Sequence, residues 1–264
     1  MKKAFLRLFI ISGLTALGAA AIIALLNLAG SLQIYAPLDH PLMTPSAYSP
    51  TQNKISYHFA ELPNLNPATL KQNMSFSSVT KETATNKPQM VRGYILYLKW
   101  VDEDWHLVSA KSQLKLDDFL NNYPTSLLIL RVLSSIHLNQ LVKKIEKHNF
   151  QENVIILANE KRALRELRKL APRWLYAGHP SDSTKAQLFS SLFLDHLAPF
   201  EADFFILTQS AANTPQVNLR LLKELRKRHK KVLLAVTHPD VELPTKYSPF
   251  VDGLIIDRHA VLQN

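Results

Sequence analysis

The chain has no cysteine. That excludes a disulfide scaffold, a thiolate nucleophile and a thiolate metal site, while leaving the compartment open. Glycine is scarce, with six in 264 residues, and neither GxxxxGK[ST] nor GxGxxG occurs, so no glycine-rich loop is there to cradle phosphates. Carboxylates are also in short supply, with 21 acidic against 31 basic residues and a formal net charge of +10. Such a balance suits an acidic polymer or an anionic surface as partner, or simply a solvated basic exterior. No nucleic-acid-binding motif accompanies the charge, so no nucleic acid is expected.

An apolar run is present at the start. Lys2, Lys3 and Arg7 precede Leu8 to Gly30, which is interrupted only by Ser12, Thr15 and Asn27. A membrane span needs about 20 apolar residues and a signal-peptide core about 7–15. The expectation is an uncleaved anchor over residues 1–30, with a signal cleaved after Gly18 or Ala20 as the alternative. The positive flank then places the domain outside, as a single-pass inner (cytoplasmic) membrane protein facing the periplasm or exterior. Residues 31–54 carry Pro37, Pro41, Pro45 and Pro50 and read as an extended tether, or as a strap over the domain. The folded domain is expected over 55–264.

In that domain, continuous apolar runs of strand length recur. They are Ile55–His58, Gly93–Trp100, Ser126–Val132, Asn153–Ala158, Trp174–Ala177, Asp203–Thr208, Lys231–Thr237 and Asp252–Asp257. Continuous runs suit strands buried on both faces. Amphipathic helical patterns lie between most of them. One face is Leu138, Leu141, Val142 and Ile145; another is Leu164, Leu167 and Leu170; a third includes Val217, Leu221, Leu222 and Leu225. Asp182 or Ser183 is placed to cap a helix running to about Leu197. The alternation predicts an α/β fold with a parallel sheet, and eight strands predict a (β/α)8 TIM-like barrel. A doubly wound open sheet is the runner-up. Trp105–Val108 forms an extra hairpin strand outside the eight, joined to the second by the acidic turn Val101-Asp102-Glu103-Asp104.

Chemistry in such barrels sits at the C-terminal ends of the strands. Those ends offer His58, Trp100, Arg131, Asn159 with Glu160, His179, Gln209, His238, and Asp257 with Arg258. This mouth has histidines and cations but few carboxylates. It suits an anion held by charge-assisted hydrogen bonds better than a hard divalent cation, which needs several carboxylate oxygens.

The stretches LKLDDFLNNYP, SLLILRV, NVIILANEKRALRELRKLAP, HKKVLLAVTHPDVE and FVDGLIIDRHAVL resemble the glycerophosphodiester phosphodiesterase family, within the phospholipase-C-like phosphodiesterase barrels. YHFAELPNLNPATL resembles the family's His-Arg-Gly strand with the Glu-Asn-Thr-Leu after it, and GYILYLKW its Gly-x-Glu-x-Asp-Val strand. The likeness covers about residues 55–264. Its departures are systematic. His58 stands at the first catalytic histidine, followed by Phe59 and Ala60 in place of Arg and Gly. Pro67 stands near the metal-binding Glu, while Thr69 matches the Thr. Ile95 and Tyr97 replace the Glu and Asp of the second strand. The second catalytic histidine falls near Ala110, with His106 four residues too early. Ile129 replaces a Glu, Arg131 a Lys, and His238 an Asn.

The resemblance implies a reaction that needs a metal and a histidine pair, and the carboxylates for that metal are missing. The chain therefore reads as a degenerate member, a pseudoenzyme with no metal and no cofactor, leaning away from catalysis. It would act as a binding or scaffold module for an anionic or phosphorylated envelope ligand. The alternatives are an active phosphodiester hydrolase with a non-standard site, and a purely structural assembly partner. His58 is the candidate catalytic residue, with a histidine kept for packing and hydrogen bonding as the reading favoured over it. Arg131, His238, His179 and Arg258 are the candidate anion-binding residues. Against that, Arg131 reads as a salt-bridged barrel residue, and the histidines as ordinary loop or strand-end residues. The basic runs Lys161–Lys169 and Arg220–Lys231 read as solvated helix faces.

Overall fold

The computed structural model describes residues 2–32, 35, 36, 38–40, 42, 43, 56–62, 65, 70, 90–109, 112–123, 126–194, 198, 200–208, 219–236 and 248–256. Eight parallel strands form the barrel: β1 (Ser56–Glu61), β2 (Met90–Val101), β5 (Leu127–Val132), β6 (Val154–Ala158), β7 (Leu175–Tyr176), β8 (Phe204–Thr208), β9 (Lys231–Val236) and β10 (Gly253–Ile256). Their order is β7-β6-β5-β2-β1-β10-β9-β8. The ends meet at a parallel bridge between Ala177 and Phe204. Gly178 N–H donates to Phe204 O at 2.8 Å and Asp203 N–H to Tyr176 O at 2.9 Å across the same seam. That seam distinguishes a nearly closed barrel from an open doubly wound sheet. The eight expected strands are these eight.

β3 (Asp104–Val108) pairs antiparallel with β2, and β4 (Gln113–Lys115) with β3, outside the barrel. The turn between β2 and β3 has positive φ at both central residues, Asp102 (48°) and Glu103 (61°), the conformation whose twist matches a two-residue hairpin. Short polar side chains tolerate it at Asp102 better than a branched residue would.

The period-two alternation of the strands divides them into two faces. One face fills the barrel with Tyr57, Phe59, Ile95, Leu127, Ile129, Ile155, Leu175, Phe204, Leu233 and Ile255. The other meets the helices. These are α2 (Leu116–Asn122), α3 (Leu138–Lys147), α4 (Lys161–Leu170), α5 (Pro180–Ser191) and α6 (Leu219–Lys227). Helix α3 buries Leu138, Leu141, Val142 and Ile145, and α6 buries Leu221, Leu222 and Leu225, as their spacing predicts. Helix α4 buries Ala163, Leu164 and Leu167 but leaves Leu170 exposed in its last turn. Val217 lies outside the described residues.

The N-terminal face of the barrel is stoppered by described residues between Tyr35 and Met43. Met43 is 3% exposed and belongs to the interior cluster with Tyr57, Phe59 and Leu233. Tyr57 Oη donates to Leu42 O at 3.2 Å. Further out, His229 Nε2 lies 3.0 Å from Tyr35 O, and the Arg228 guanidinium lies over the Tyr35 ring at 4.9 Å. Of the proline-rich connector, read as a tether or a strap, Tyr35, Leu42 and Met43 make these contacts with the domain; the prolines Pro37, Pro41, Pro45 and Pro50 lie outside the described residues.

Helix α1 (Lys2–Leu32) corrects the expected membrane anchor. Among the described residues no helix is long and apolar enough to cross a membrane. Within α1, the described side chains of 11–26 are diluted by Ser12, Gly13, Thr15, Gly18 and several alanines. The expectation of a single-pass inner-membrane protein with a periplasmic domain is overturned with it.

Candidate functional site at the barrel mouth

The sheet register decides which polar residues share the barrel's C-terminal mouth. Ile95 pairs with Ile129, and two residues further along Tyr97 pairs with Arg131, which in turn pairs with Leu157. Ile95 and Ile129 face inward, so Tyr97 and Arg131 share that inward face one layer nearer the mouth. The Arg131 guanidinium carbon lies 5.6 Å from the Tyr97 ring centroid, within cation–π range. Its Nε donates to Asn159 Oδ1 at 2.8 Å.

Asn159 also holds the next strand end. Its own backbone N–H donates to Val132 O at 3.1 Å, and its carbonyl oxygen lies 2.8 Å from His179 Nε2. His179 caps α5, where Nδ1 accepts the Ser181 backbone N–H at 3.2 Å and lies 2.8 Å from Ser181 Oγ. An acceptor at Nδ1 puts the proton on Nε2, where it donates to Asn159 O. Both ring nitrogens are thus engaged, and His179 ties β7 and α5 to β6. The helix begins at Pro180, in the first position where a missing N–H costs nothing. Asp182 sits in its first turn and pairs with Lys161 at 2.5 Å instead of capping.

His58 does not join this group. Tyr57 and Phe59 face the interior, so His58 between them faces the helical layer, in register with Arg92. Burial first, and then the Arg92 charge, hold its pKa below the ordinary histidine value. His238 and Arg258 lie outside the described residues, as do Gln209, Asp257, Pro67, Thr69 and Ala110. Of the candidate anion-binding residues, the described structure brings Arg131 and His179 together through Asn159. Trp100 and Trp105 pack edge to face at 5.7 Å, with Trp105 fully buried, and cover the side of the rim.

One inward residue escaped the sequence reading. Glu61 ends β1 on the face of Tyr57 and Phe59 and pairs in register with Ile95. It lies one layer below Tyr97 and Arg131. The apolar–polar alternation of SYHFAE carried that signal, because Tyr57, Phe59 and Glu61 share one parity and His58 the other.

The divalent cation implied by the family resemblance does not fit the described residues. Inward positions near the mouth of β2 and β5 hold Ile95, Tyr97, Ile129 and Arg131, with Ile95 and Ile129 buried. A hard cation wants several carboxylate oxygens, and a guanidinium next to it is repulsive. No group of three or more His, Asp or Glu able to hold a metal occurs among the described residues.

No family model and no curated protein matches the chain. Solved structures do. A glycerophosphodiester phosphodiesterase from Agrobacterium tumefaciens superposes with a TM-score of 0.54 at 8% identity, covering 77% of this chain and 97% of that one. The glycerophosphoryl diester phosphodiesterase domain of a Mycobacterium tuberculosis protein gives 0.51 at 9% identity, covering 79% and 98%. A putative glycerophosphoryl diester phosphodiesterase from Silicibacter pomeroyi gives 0.50 at 9%, covering 76% and 90%. The fold resembles that of glycerophosphodiester phosphodiesterases, as the sequence resemblance implies, and at such low identity the likeness is one of fold.

Proposed function

We propose that this barrel is a binding module for a small anionic ligand, phosphorylated or otherwise, and does not carry out metal-dependent phosphodiester hydrolysis. The observation that supports this is the set of inward residues at the mouth of β2 and β5. Where a metal-dependent site on this scaffold would set carboxylates, Ile95, Tyr97 and Ile129 present hydrocarbon and a phenol ring, and Arg131 supplies a cation. A guanidinium supported by an aromatic face and an amide favours a planar or tetrahedral oxyanion through paired hydrogen bonds. The outward face of His58 argues against a hydrolase that relies on it as acid or base, because a proton-transfer group must reach the reacting atom to within about 3 Å.

The test has two arms. Inorganic phosphate titrated into the full chain is expected to bind saturably, and Arg131→Ala to weaken it by about tenfold or more, as loss of a charge-assisted pair should. A glycerophosphodiester incubated with magnesium or calcium is expected to remain intact. Metal-dependent turnover would overturn the binding-module reading, and unchanged phosphate affinity in Arg131→Ala would remove Arg131 from the site.

A further inference from the structure

We infer that Asn159 is a positioning residue which fixes the direction in which Arg131 presents its guanidinium to an anion. This rests on the anion-binding reading above and deepens it. A guanidinium offers two forks to an oxyanion, one from Nε with an Nη and one from the two Nη groups. Asn159 Oδ1 accepts from Arg131 Nε at 2.8 Å, which occupies the first fork. The Tyr97 ring lies against the group at 5.6 Å. Among the described residues, the end-on pair of Nη groups is the fork left for a ligand, so the site takes an anion that can offer two oxygens along the guanidinium axis, such as phosphate or carboxylate.

Asn159 is itself held from both sides. Its N–H donates to Val132 O at 3.1 Å and its C=O accepts from His179 Nε2 at 2.8 Å. His179 is in turn oriented by the Ser181 N–H at 3.2 Å. Three strand ends, β5, β6 and β7, are thereby coupled through one residue. An asparagine suits the role because it accepts at Oδ1 without charge. An aspartate would neutralise Arg131 and compete with the ligand.

The experiment follows the Arg131 Nε–H resonance by arginine-selective ¹⁵N NMR, alongside titration with inorganic phosphate. In the wild-type chain the Nε–H is expected to exchange slowly with water. In Asn159→Ala it should exchange fast, with phosphate affinity reduced about tenfold, the size expected for one hydrogen bond to a charged group. In Asn159→Asp the slow exchange should persist while affinity falls by a similar factor, which separates orientation from charge. His179→Gln should give an intermediate exchange rate. An Nε–H that stays protected in Asn159→Ala, with unchanged phosphate affinity, would overturn the positioning role. A wild-type chain that shows Nε–H protection but no phosphate binding would leave Asn159 as the orienting partner and refute the anion reading instead.

Discussion

The two ends of the barrel solve opposite problems. At the N-terminal floor nearly every described polar group is answered from within the chain. Asp252 is buried; its Oδ2 accepts Val232 N–H at 2.8 Å, and Oδ1 faces Arg226 at 3.3 Å and Lys231 at 3.7 Å. Asp203 repeats the arrangement two strands over, accepting Tyr176 N–H at 3.1 Å and pairing with Lys230 at 3.3 Å. Burial and the Asp252 charge push the Tyr57 phenol up to about 12. At the mouth, Arg131 has one hydrogen bond among the described residues, to Asn159, and Glu61 has no ion pair among them. Floors of such barrels carry stability and mouths carry function, and here the distribution of satisfied charge follows that division. The end of the basic run Arg220–Lys231 belongs to the floor. Arg226, Lys230 and Lys231 are spent on internal carboxylates and do not form a docking patch.

The contrast breaks most visibly at Asp252. Asp252→Ala strands a buried backbone donor and two cations at once and is expected to cost about 3–5 kcal/mol. Arg131→Ala at the mouth should cost less than about 1 kcal/mol. Urea denaturation of the two variants side by side measures the difference, and comparable losses would erase the distinction between the faces. Gly253 tests the same end by steric means. A Cβ there would lie 2.4 Å from Tyr57 O, which is strand backbone with nowhere to move, so Gly253→Ala should lose about 3 kcal/mol.

The strap comes next. Met43→Ala empties part of the floor plug and should cost about 2–4 kcal/mol, read as a lower denaturation midpoint. His40, in the same segment, is 6% exposed; Nδ1 accepts Leu42 N–H at 3.2 Å, and Nε2 has no hydrogen-bond partner among the described residues. Burial holds its pKa below 6.5 despite the nearby Glu152 and Asp203 carboxylates. A depressed folded pKa means that the stabilisation is present above 6.5 and is lost as pH falls through the folded value. Thermal midpoints should therefore decline with acidification below pH 6.5, and His40→Gln should flatten that slope.

Between floor and mouth, the β3 hairpin is clamped to α3 by Lys144, which pairs with Asp104 at 2.9 Å and with Asp117; His148 Nε2 lies 2.9 Å from Asp117 Oδ1. Burial raises the two aspartates, but hydrogen bonds and charge from Lys144 outweigh it and hold both below 3.8. Burial likewise lowers Lys144, and its two carboxylates outweigh that to raise it above 10.5. The clamp should be whole between those limits, weaken as pH drops below 3.8, and weaken again as pH climbs past 10.5. Lys144→Met should remove about 1 kcal/mol at neutral pH and abolish the alkaline limb.

The barrel was legible because its strands are long uninterrupted apolar runs, and such runs have one architectural use when helices alternate with them. β4 was not, since three residues, Gln113–Lys115, carry no period. The direction of His58 was not legible in a motif, which carries no parity; within SYHFAE the inward side chains of Tyr57 and Phe59 dictate that His58 points outward. The His179 cap was hidden for a different reason. Its role depends on the Asn159 carbonyl twenty residues away, a contact that exists only once β6 and β7 lie side by side. The apolar N-terminal run showed the opposite failure, where a hydropathy argument outran what the described part of α1 supports.

Glu61 offers the finest test of the mouth. Its carboxylate faces the same lumen as Arg131 but two strands away, which at a strand spacing of ~4.8 Å puts it roughly 10 Å from the guanidinium. At that distance in a water-like dielectric a unit negative charge repels a bound anion by about 0.5 kcal/mol. Glu61→Gln should therefore tighten inorganic phosphate about twofold at low salt. The gain should fade toward 0.5 M salt, where the screening length drops below about 5 Å. A floor carboxylate cannot show this behaviour, because its charge is already compensated; Asp203→Asn should leave phosphate affinity where it was and lower only stability. Equal, salt-independent affinities in Glu61→Gln and wild type would mean that the anion and Glu61 do not share the lumen, and the mouth would then have to be sought on the outer rim instead.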